Sequence, residues 1–153
     1  WPRIHTQVPD ATFYVVGSSP PESIRAYDDG KSVIVTGFVD DLAPWYRSAA
    51  LFVSPVLVAG GLLQKVLDAM GMGVPVVATS VSNHGLAATP GQHLRIADEP
   101  EGFAASVVEL LRDGEERQRL GAAARRFAAE HYDAEVTMDR WDQALHSLMQ
   151  RET

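Results

Sequence analysis

Residues 53–79 read VSPVLVAGGLLQKVLDAMGMGVPVVAT, and this stretch decides the fold. An apolar run is followed by a loop with two adjacent glycines, a segment with apolar residues at helical spacing, a glycine-containing turn and a second apolar run. This order predicts a strand, a loop, an amphipathic helix and another strand. A helix that begins just after a Gly-Gly pair offers free backbone N–H groups to a phosphate.

Short apolar runs along the chain predict strands, and the first four are continuous, as expected of parallel strands that are buried on both faces. The predicted strands are Thr12–Val16, Val33–Thr36, Leu51–Ser54, Val74–Ala78 and, more weakly, His93–Ala97. Helices are expected between them, at Leu42–Ala49 after the possible caps Asp40 and Asp41, and at Leu62–Met72. The remaining chain carries three helical stripes, which begin at Phe103, Leu120 and Met138.

Strands that alternate with helices predict an α/β fold with a Rossmann-like, doubly wound parallel sheet. We expect about five to six strands and a helical C-terminal tail. The 153 residues, 46% of them apolar, suffice for one domain with its own core. The chain begins at Trp1 without an initiator methionine, so we expect a domain taken from a longer protein.

Composition excludes several functional classes. The absence of cysteine rules out disulfides, thiolate metal sites and cysteine nucleophiles. A formal charge of −7 disfavours nucleic-acid binding and suits a cytoplasmic protein. No apolar run approaches the roughly 20 residues of a bilayer span, and no signal peptide is present. The five histidines show no metal-ligand spacing, so no metal is expected.

Ligands of doubly wound sheets bind at the carboxyl ends of the strands. Gly17 and Gly37 directly follow the first two predicted strands, where each glycine either makes a turn or lets a ligand approach the backbone. The loop after the first strand fits neither the three-glycine dinucleotide fingerprint nor a P-loop. A nicotinamide or flavin cofactor is therefore disfavoured.

Gly60 and Gly61 mark the better phosphate candidate, because they precede a predicted helix whose first turn carries Lys65. Asp68 lies three residues further along and shares a face with Lys65. Two interpretations remain open from spacing alone. Either a diphosphate sits at the amides while Asp68 accepts hydrogen bonds from vicinal hydroxyls, or Lys65 and Asp68 form a solvated surface pair.

The segments VTGFVDDLAPWYRSAALFVSP (35–55) and LLQKVLDAMGMGVPVVAT (62–79), together with LLRDGEERQRLGAAARRFAAEHYD (110–133), resemble one known family. It is the C-terminal domain of GT-B glycosyltransferases of the group 1, or family-4, type. The resemblance covers nearly the whole chain. It is strongest to the subgroup associated with exopolysaccharide and exosortase gene clusters.

This resemblance implies a glycosyltransferase that moves a sugar from a UDP- or GDP-sugar donor to an acceptor in bacterial polysaccharide or glycoconjugate synthesis, without a cofactor or metal. Residues 1–153 would form the donor-binding half of the GT-B fold, and a separate N-terminal domain would hold the acceptor. Such acceptors are often lipid-linked, which implies peripheral association of the full-length protein with the inner face of the membrane. Nothing in this chain itself points to a membrane.

Carried over by position, the resemblance assigns each part of the donor to residues of this chain. Asp68 takes the place of a ribose-binding glutamate. The diphosphate is assigned to Gly17, Gly60, Gly61, Leu62 and Lys65, and the nucleobase to Phe38 and Val39.

Two features depart from the family pattern. Gly60 stands where the family has a glutamate that contacts the donor sugar, and the family's phosphate-clamping Arg and Lys would precede Trp1. We therefore expect residues 1–153 alone to bind nucleotide weakly and to be inactive, with no catalytic residue assigned. A catalytically degenerate binding or scaffold domain, and one half of a sugar-nucleotide epimerase, remain the alternatives.

Overall fold

The computed structural model describes residues 1–133 and Met138, and in this part of the chain strands alternate with helices. In chain order the elements are α1 (Pro2–His5), β1 (Phe13–Val16), α2 (Glu22–Arg25), β2 (Val33–Gly37), α3 (Ala43–Ser48), β3 (Phe52–Ser54), α4 (Gln64–Gly71), β4 (Val76–Ala78), α5 (Ser80–Asn83), β5 (Arg95–Ile96), α6 (Pro100–Arg112) and α7 (Gly114–Tyr132). The α/β fold and all five predicted strands are confirmed.

All strand pairs in the described residues are parallel, but they form two groups rather than one continuous sheet. β1 pairs with β2, with Phe13 opposite Val33. The second group has the order β3-β4-β5, with Phe52 opposite Val76 and Val77 opposite Arg95. The larger group has three strands, fewer than the five to six expected in one sheet, and the break lies between β1 and β3.

β4 is buried on both faces, as the continuous apolar run predicted. Val76 and Ala78 belong to one buried cluster, which also contains Met70 of α4 and Phe127 of α7. Val77 belongs to a second cluster with residues of α1, α6 and α7. Because neighbouring residues of a strand point to opposite faces, the second sheet is covered by helices on both sides.

The helix predictions hold for the long segments and shift at their ends. α3 begins at Ala43, whose N–H donates to Asp41 Oδ1 at 2.8 Å, so Asp41 is the aspartate that serves the start of this helix. α4 begins at Gln64, so Leu62 and Leu63 precede the helix rather than belonging to its stripe. The stripes that begin at Phe103 and Leu120 pack inward. The third lies outside the described residues except for Met138, which is exposed.

Candidate functional site at the strand ends

The loop between β3 and α4 carries a row of unused backbone donors. Among the described residues, the N–H groups from Gly60 to Lys65 have no hydrogen-bond acceptor. The first amide of this region that is bonded is that of Val66, which donates to the Leu63 carbonyl at 2.9 Å. No side chain caps the start of α4. Unbonded amides at a helix start, together with the positive end of the helix dipole, favour an anion.

Lys65 and Asp68 lie on this helix without forming an ion pair with each other. The ion pairs of the described residues are elsewhere, at Arg3–Glu101, Arg95–Glu116 and Arg119–Glu116. Lys65 is exposed, and Asp68 is partly buried. The Lys65 ammonium group therefore has no carboxylate within 4.0 Å among the described residues, and both interpretations of Lys65 and Asp68 stay open.

Asp68 is held instead by a neighbour on its own helix. Gln64 Nε2 donates to Asp68 Oδ1 at 2.9 Å, which fixes one carboxylate oxygen. The second oxygen has no partner among the described residues. The spacing of four residues between Gln64 and Asp68 is the signal from which this contact could have been predicted.

Tyr46 of α3 joins the neighbouring helix to this site. Its hydroxyl donates to the Lys65 carbonyl at 3.2 Å, and its ring packs against Phe52 with the centroids 5.7 Å apart. Burial raises the pKa of Tyr46, and the negative charge of Asp68 raises it further. Tyr46 thus positions the first turn of α4 and lies close enough to Asp68 to sense its charge.

Gly85 supports the loop that carries the free amides. A Cβ atom at this position would lie 2.5 Å from the backbone N of Leu62 and 2.7 Å from the carbonyl carbon of Gly61. Only glycine permits this approach between the two backbones. Tyr132 at the end of α7 donates from its hydroxyl to the adjacent Leu86 carbonyl at 2.9 Å. The loop with the free amides therefore rests on a second, anchored loop.

Three buried hydroxyl groups fix the ends of β3 and β4. Ser82 Oγ lies 2.9 Å from Ser54 Oγ and 3.0 Å from Thr79 Oγ1. Thr79 Oγ1 in turn donates to the Val56 carbonyl at 2.5 Å. All three residues are at most 3% exposed. Because buried hydroxyls are costly to leave unpaired, this cluster sets where the loop after β3 begins.

The remaining predicted site residues follow strands of the other sheet. The Gly17 N–H donates to the Gly37 carbonyl at 3.2 Å, so Gly17 offers a close backbone approach but no free donor. Gly37 has φ +72°, a conformation that favours glycine. Phe38 is 73% exposed, and Val39 is partly buried. An open groove of about 420 Å³ lies beside Phe38, lined also by Ser19, Pro20, Arg25, Asp28, Val35, Thr36 and Gly37.

The family model described as "Glycosyl transferases group 1" matches residues 1–113, about three quarters of the 153 residues. The chain belongs to this family. Two curated proteins are also similar to the chain.

One relative is an uncharacterized 44.6 kDa protein in the cps region of Klebsiella pneumoniae, 26% identical over 87% of this chain and 36% of that protein. The other is a GDP-mannose-dependent monoacylated alpha-(1-6)-phosphatidylinositol monomannoside mannosyltransferase of Corynebacterium glutamicum, 28% identical over 99% of this chain and 42% of that protein. The chain thus spans about two fifths of the length of these relatives.

A solved structure confirms the fold of the group 1 domain. The Anabaena protein Alr3699/HepE, crystallised in complex with UDP, matches 95% of this chain and 44% of that chain with a TM-score of 0.79 and 16% identity. The prediction of one half of a GT-B fold is therefore confirmed. The exopolysaccharide subgroup stays a prediction.

None of the helices within residues 1–133 combines the length and apolar character that a membrane span requires. The same residues contain no cluster of three or more His, Asp or Glu side chains arranged to hold a metal ion.

Proposed function

We propose that residues 1–153 form the donor-binding domain of a glycosyltransferase that moves a sugar from a nucleotide-sugar donor to an acceptor. One observation carries this proposal: the unbonded amides from Gly60 to Lys65 lead directly into α4. This helix carries the Lys65 ammonium group, which forms no ion pair among the described residues, and the Asp68 carboxylate, of which only one oxygen is bonded. These groups match the chemical order of a nucleoside diphosphate, with its phosphates next to a ribose diol. Membership of the group 1 family supports the same assignment.

Each group has a defined task in this proposal. The amides of Gly60, Gly61 and Leu62 bind the diphosphate together with the Lys65 ammonium group, which adds the positive charge that a departing diphosphate needs. Asp68 accepts hydrogen bonds from the ribose hydroxyls through the oxygen that Gln64 leaves free.

The strands of the other sheet supply the rest of the donor site. Gly17 permits close approach of the diphosphate, and Phe38 and Val39 contact the nucleobase. The exposed ring of Phe38, beside an open groove, supports its part in this assignment.

The full-length protein is proposed to act in bacterial polysaccharide or glycoconjugate synthesis, in the cytoplasm or at the inner face of the membrane. Its N-terminal domain would hold the acceptor, and it would need neither a cofactor nor a metal. The two relatives with printed ligands differ in the base, since one is named for GDP-mannose and the other was crystallised with UDP. Both UDP and GDP therefore enter the test, and ADP is added as a third base.

The test is thermal unfolding of the full-length protein with UDP, GDP and ADP. We expect one nucleotide to raise the melting temperature, and we expect Asp68→Ala to abolish this rise. Asp10→Ala is the matched control, because Asp10 is an exposed carboxylate away from α4. A rise that survives Asp68→Ala would contradict the ribose assignment.

A second candidate function rests on Gly60, which lacks the sugar-contacting side chain of the resembled family. A domain without that contact could serve as a binding or scaffold module that has lost catalysis. The absence of any shift with all three nucleotides in the full-length protein would favour this second function over sugar transfer.

A further inference from the structure

Three rings stack where the end of α7 meets the loop that precedes β5. The ring centroid of Phe127 lies 4.5 Å from that of His93 and 4.5 Å from that of His131, with interplanar angles of 28° and 22°. Phe127 belongs to the buried cluster that contains Met70 of α4, and His93 is partly buried beside it. Two titratable rings therefore contact one residue of the core.

The two histidines use their ring nitrogens in opposite ways. His93 Nδ1 accepts a hydrogen bond from the Thr89 N–H at 3.1 Å, so this nitrogen carries no proton. His131 Nδ1 lies 3.0 Å from the Phe127 carbonyl oxygen, which can only accept, so this nitrogen donates. A second proton on His131 leaves its bond intact, whereas a second proton on His93 removes the acceptor of the Thr89 amide. His93 is therefore the acid-sensitive ring of the stack.

The charges around His93 also oppose a positive charge on its ring. Burial lowers the pKa of His93 below its ordinary value of 6.5, and the charges of His131 and Arg126 lower it further, while Glu130 raises it. Residues 85–94, here called loop 85–94, contain no other titratable side chain. The charged and titratable side chains that face this loop from α7 are Arg119, Arg126, Glu130, His131 and Tyr132.

The end of α7 also holds the start of loop 85–94, close to the candidate site. Just over one turn beyond Phe127, the Tyr132 hydroxyl donates to the Leu86 carbonyl at 2.9 Å. Gly85, the residue before Leu86, is the one on which the loop with the free amides rests. One short loop therefore joins the stacked rings to the candidate site.

We propose that His93, Phe127 and His131 form a pH-sensitive clamp, which holds loop 85–94 on α7 while His93 is neutral and releases it when His93 is protonated. Protonation takes the acceptor away from the Thr89 amide and adds a positive charge near that of Arg126. Because Gly85 belongs to the released loop, the loop with the free amides loses support at the same time.

The direction of the pH effect follows from the lowered pKa of His93. Since the released or unfolded loop has the ordinary pKa of 6.5, it binds more protons than the clamped loop does between the two values. The stability that the clamp supplies is therefore fully present above pH 6.5 and is lost as the pH falls through the lowered pKa. The clamp is closed at neutral pH and opens in mild acid.

The test is amide hydrogen exchange on the full-length natural protein without nucleotide, resolved by residue and corrected for the intrinsic rates. We expect protection at the Thr89 and Ala88 amides to fall at least about fivefold between about pH 7.5 and about pH 5. The Ala88 amide reports on the loop itself, because its acceptor is Asn83 Oδ1, at 3.1 Å, which does not titrate in this range. The Val33 amide of the other sheet is the control and should change less than about twofold.

His93→Asn is the matched variant, because the asparagine oxygen can replace Nδ1 as an acceptor and takes up no proton. Its protection at Ala88 should stay within about twofold over the same pH range. His84→Asn removes an exposed histidine outside the stack and should keep the natural fall. A fall confined to Thr89 would show one lost bond rather than a released loop and would overturn the proposal. An equal fall in His93→Asn, or no fall in the natural protein, would overturn it as well.

A second measurement tests whether the clamp reaches the loop with the free amides, and this part rests on the proposed function. The terminal phosphate of UDP or GDP itself gains a proton near about pH 6, so the readout is the ratio of the affinities of the natural protein and His93→Asn at each pH. We expect this ratio to fall at least about threefold from neutral to acid pH. A constant ratio would contradict the coupling to the candidate site. Binding by neither protein at either pH would contradict the proposed function instead, and hydrogen exchange would still decide whether the clamp exists.

Discussion

At the scale of single residues, Gly85 shows how a side-chain-free position shapes a distant loop. Residues 61 and 85 are far apart in sequence, yet a Cβ atom at Gly85 would overlap the backbone of Leu62. The overlap is with main chain, which has no rotamer by which to move aside. The geometry of the free amides therefore depends on a residue that offers no group to the ligand.

Gly85→Ala should displace the loop and weaken nucleotide binding by about tenfold, with a loss of about 1–3 kcal/mol in the free energy of unfolding. Isothermal titration with the preferred nucleotide and urea unfolding measure the two effects. Gly102→Ala serves as the control, because its Cβ would meet only Ala97 Cβ at 3.9 Å. Unchanged binding in Gly85→Ala would show that the loop does not carry the phosphate.

Gly60 presents the opposite case, because nothing lies within 4 Å of a Cβ built on it. A glutamate there would restore the side chain that the resembled family uses for the donor sugar. Gly60→Glu in the full-length protein should change the free energy of unfolding by less than about 0.5 kcal/mol. The variant should also raise the affinity for the nucleotide sugar about tenfold relative to the bare nucleotide, a change of about 1.4 kcal/mol in binding free energy.

The measurement is competition between the sugar nucleotide and the nucleoside diphosphate by titration. Gly61→Glu is the comparison, because the site around Gly61 is equally open and a carboxylate there meets the proposed diphosphate. Gly61→Glu should weaken the binding of both the nucleotide sugar and the nucleoside diphosphate. If both glutamate variants behave alike, position 60 does not face the sugar.

At the scale of elements, Glu116 connects the start of α7 to β5 through Arg95, and Arg119 of the same helix also bonds its carboxylate. Its carboxylate oxygens lie 3.0 Å from Arg95 Nη2 and 2.6 Å from Arg119 Nε. Hydrogen bonding from Arg119, together with the charges of Arg119 and Arg95, lowers the Glu116 pKa from 4.5 to about 2. The folded chain therefore binds fewer protons at Glu116 than the unfolded chain does.

The stability from Glu116 should be fully present above pH 4.5 and should disappear as the pH falls toward 2. Glu116→Gln should thus cost up to about 1 kcal/mol at pH 7 and almost nothing near pH 2. Urea unfolding across this range measures the change, with the exposed Glu109→Gln as control. A cost that is independent of pH would show that packing rather than charge holds α7 to β5.

The sequence predicted elements well where hydrophobic pattern alone determines them. The apolar runs located all five strands, most clearly β4, because a strand buried on both faces cannot tolerate polar residues. The helices α1, α2 and α5 were missed, since four residues are too few for a 3.6-residue period to appear. The division into two sheets was also missed, because no pattern within a strand records which neighbour it pairs with.

The candidate site was predicted only in part, for a similar reason. The glycines and Asp68 stand in one local segment, so spacing alone grouped them. The support from Gly85 and the hydroxyl cluster of Ser54, Thr79 and Ser82 depends on contacts between segments 23 or more residues apart, which no local pattern encodes. The partner of Asp68 proved to be Gln64 rather than Lys65, because the amide reaches the carboxylate one turn away.

At the scale of the whole molecule, residues 1–153 supply little positive charge for catalysis. Sugar transfer releases a nucleoside diphosphate, whose negative charge must be stabilised in the transition state. Lys65 is the cation on the first turn of α4, and the chain as a whole carries a net charge of −7. Nucleotide binding by the domain alone should therefore be weaker than binding by the full-length protein.

The domain alone should also show no sugar transfer. Incubation of residues 1–153 with UDP- or GDP-sugars should release no nucleoside diphosphate above the buffer rate, whereas the full-length protein should release it when acceptor is present. Coupled detection of the released diphosphate measures both. Asp68→Ala in the full-length protein is the control for a contaminating hydrolase, because only release at the proposed site depends on Asp68. Release by residues 1–153 that is lost when Asp68→Ala is made in the same fragment would place the complete catalytic machinery within this domain.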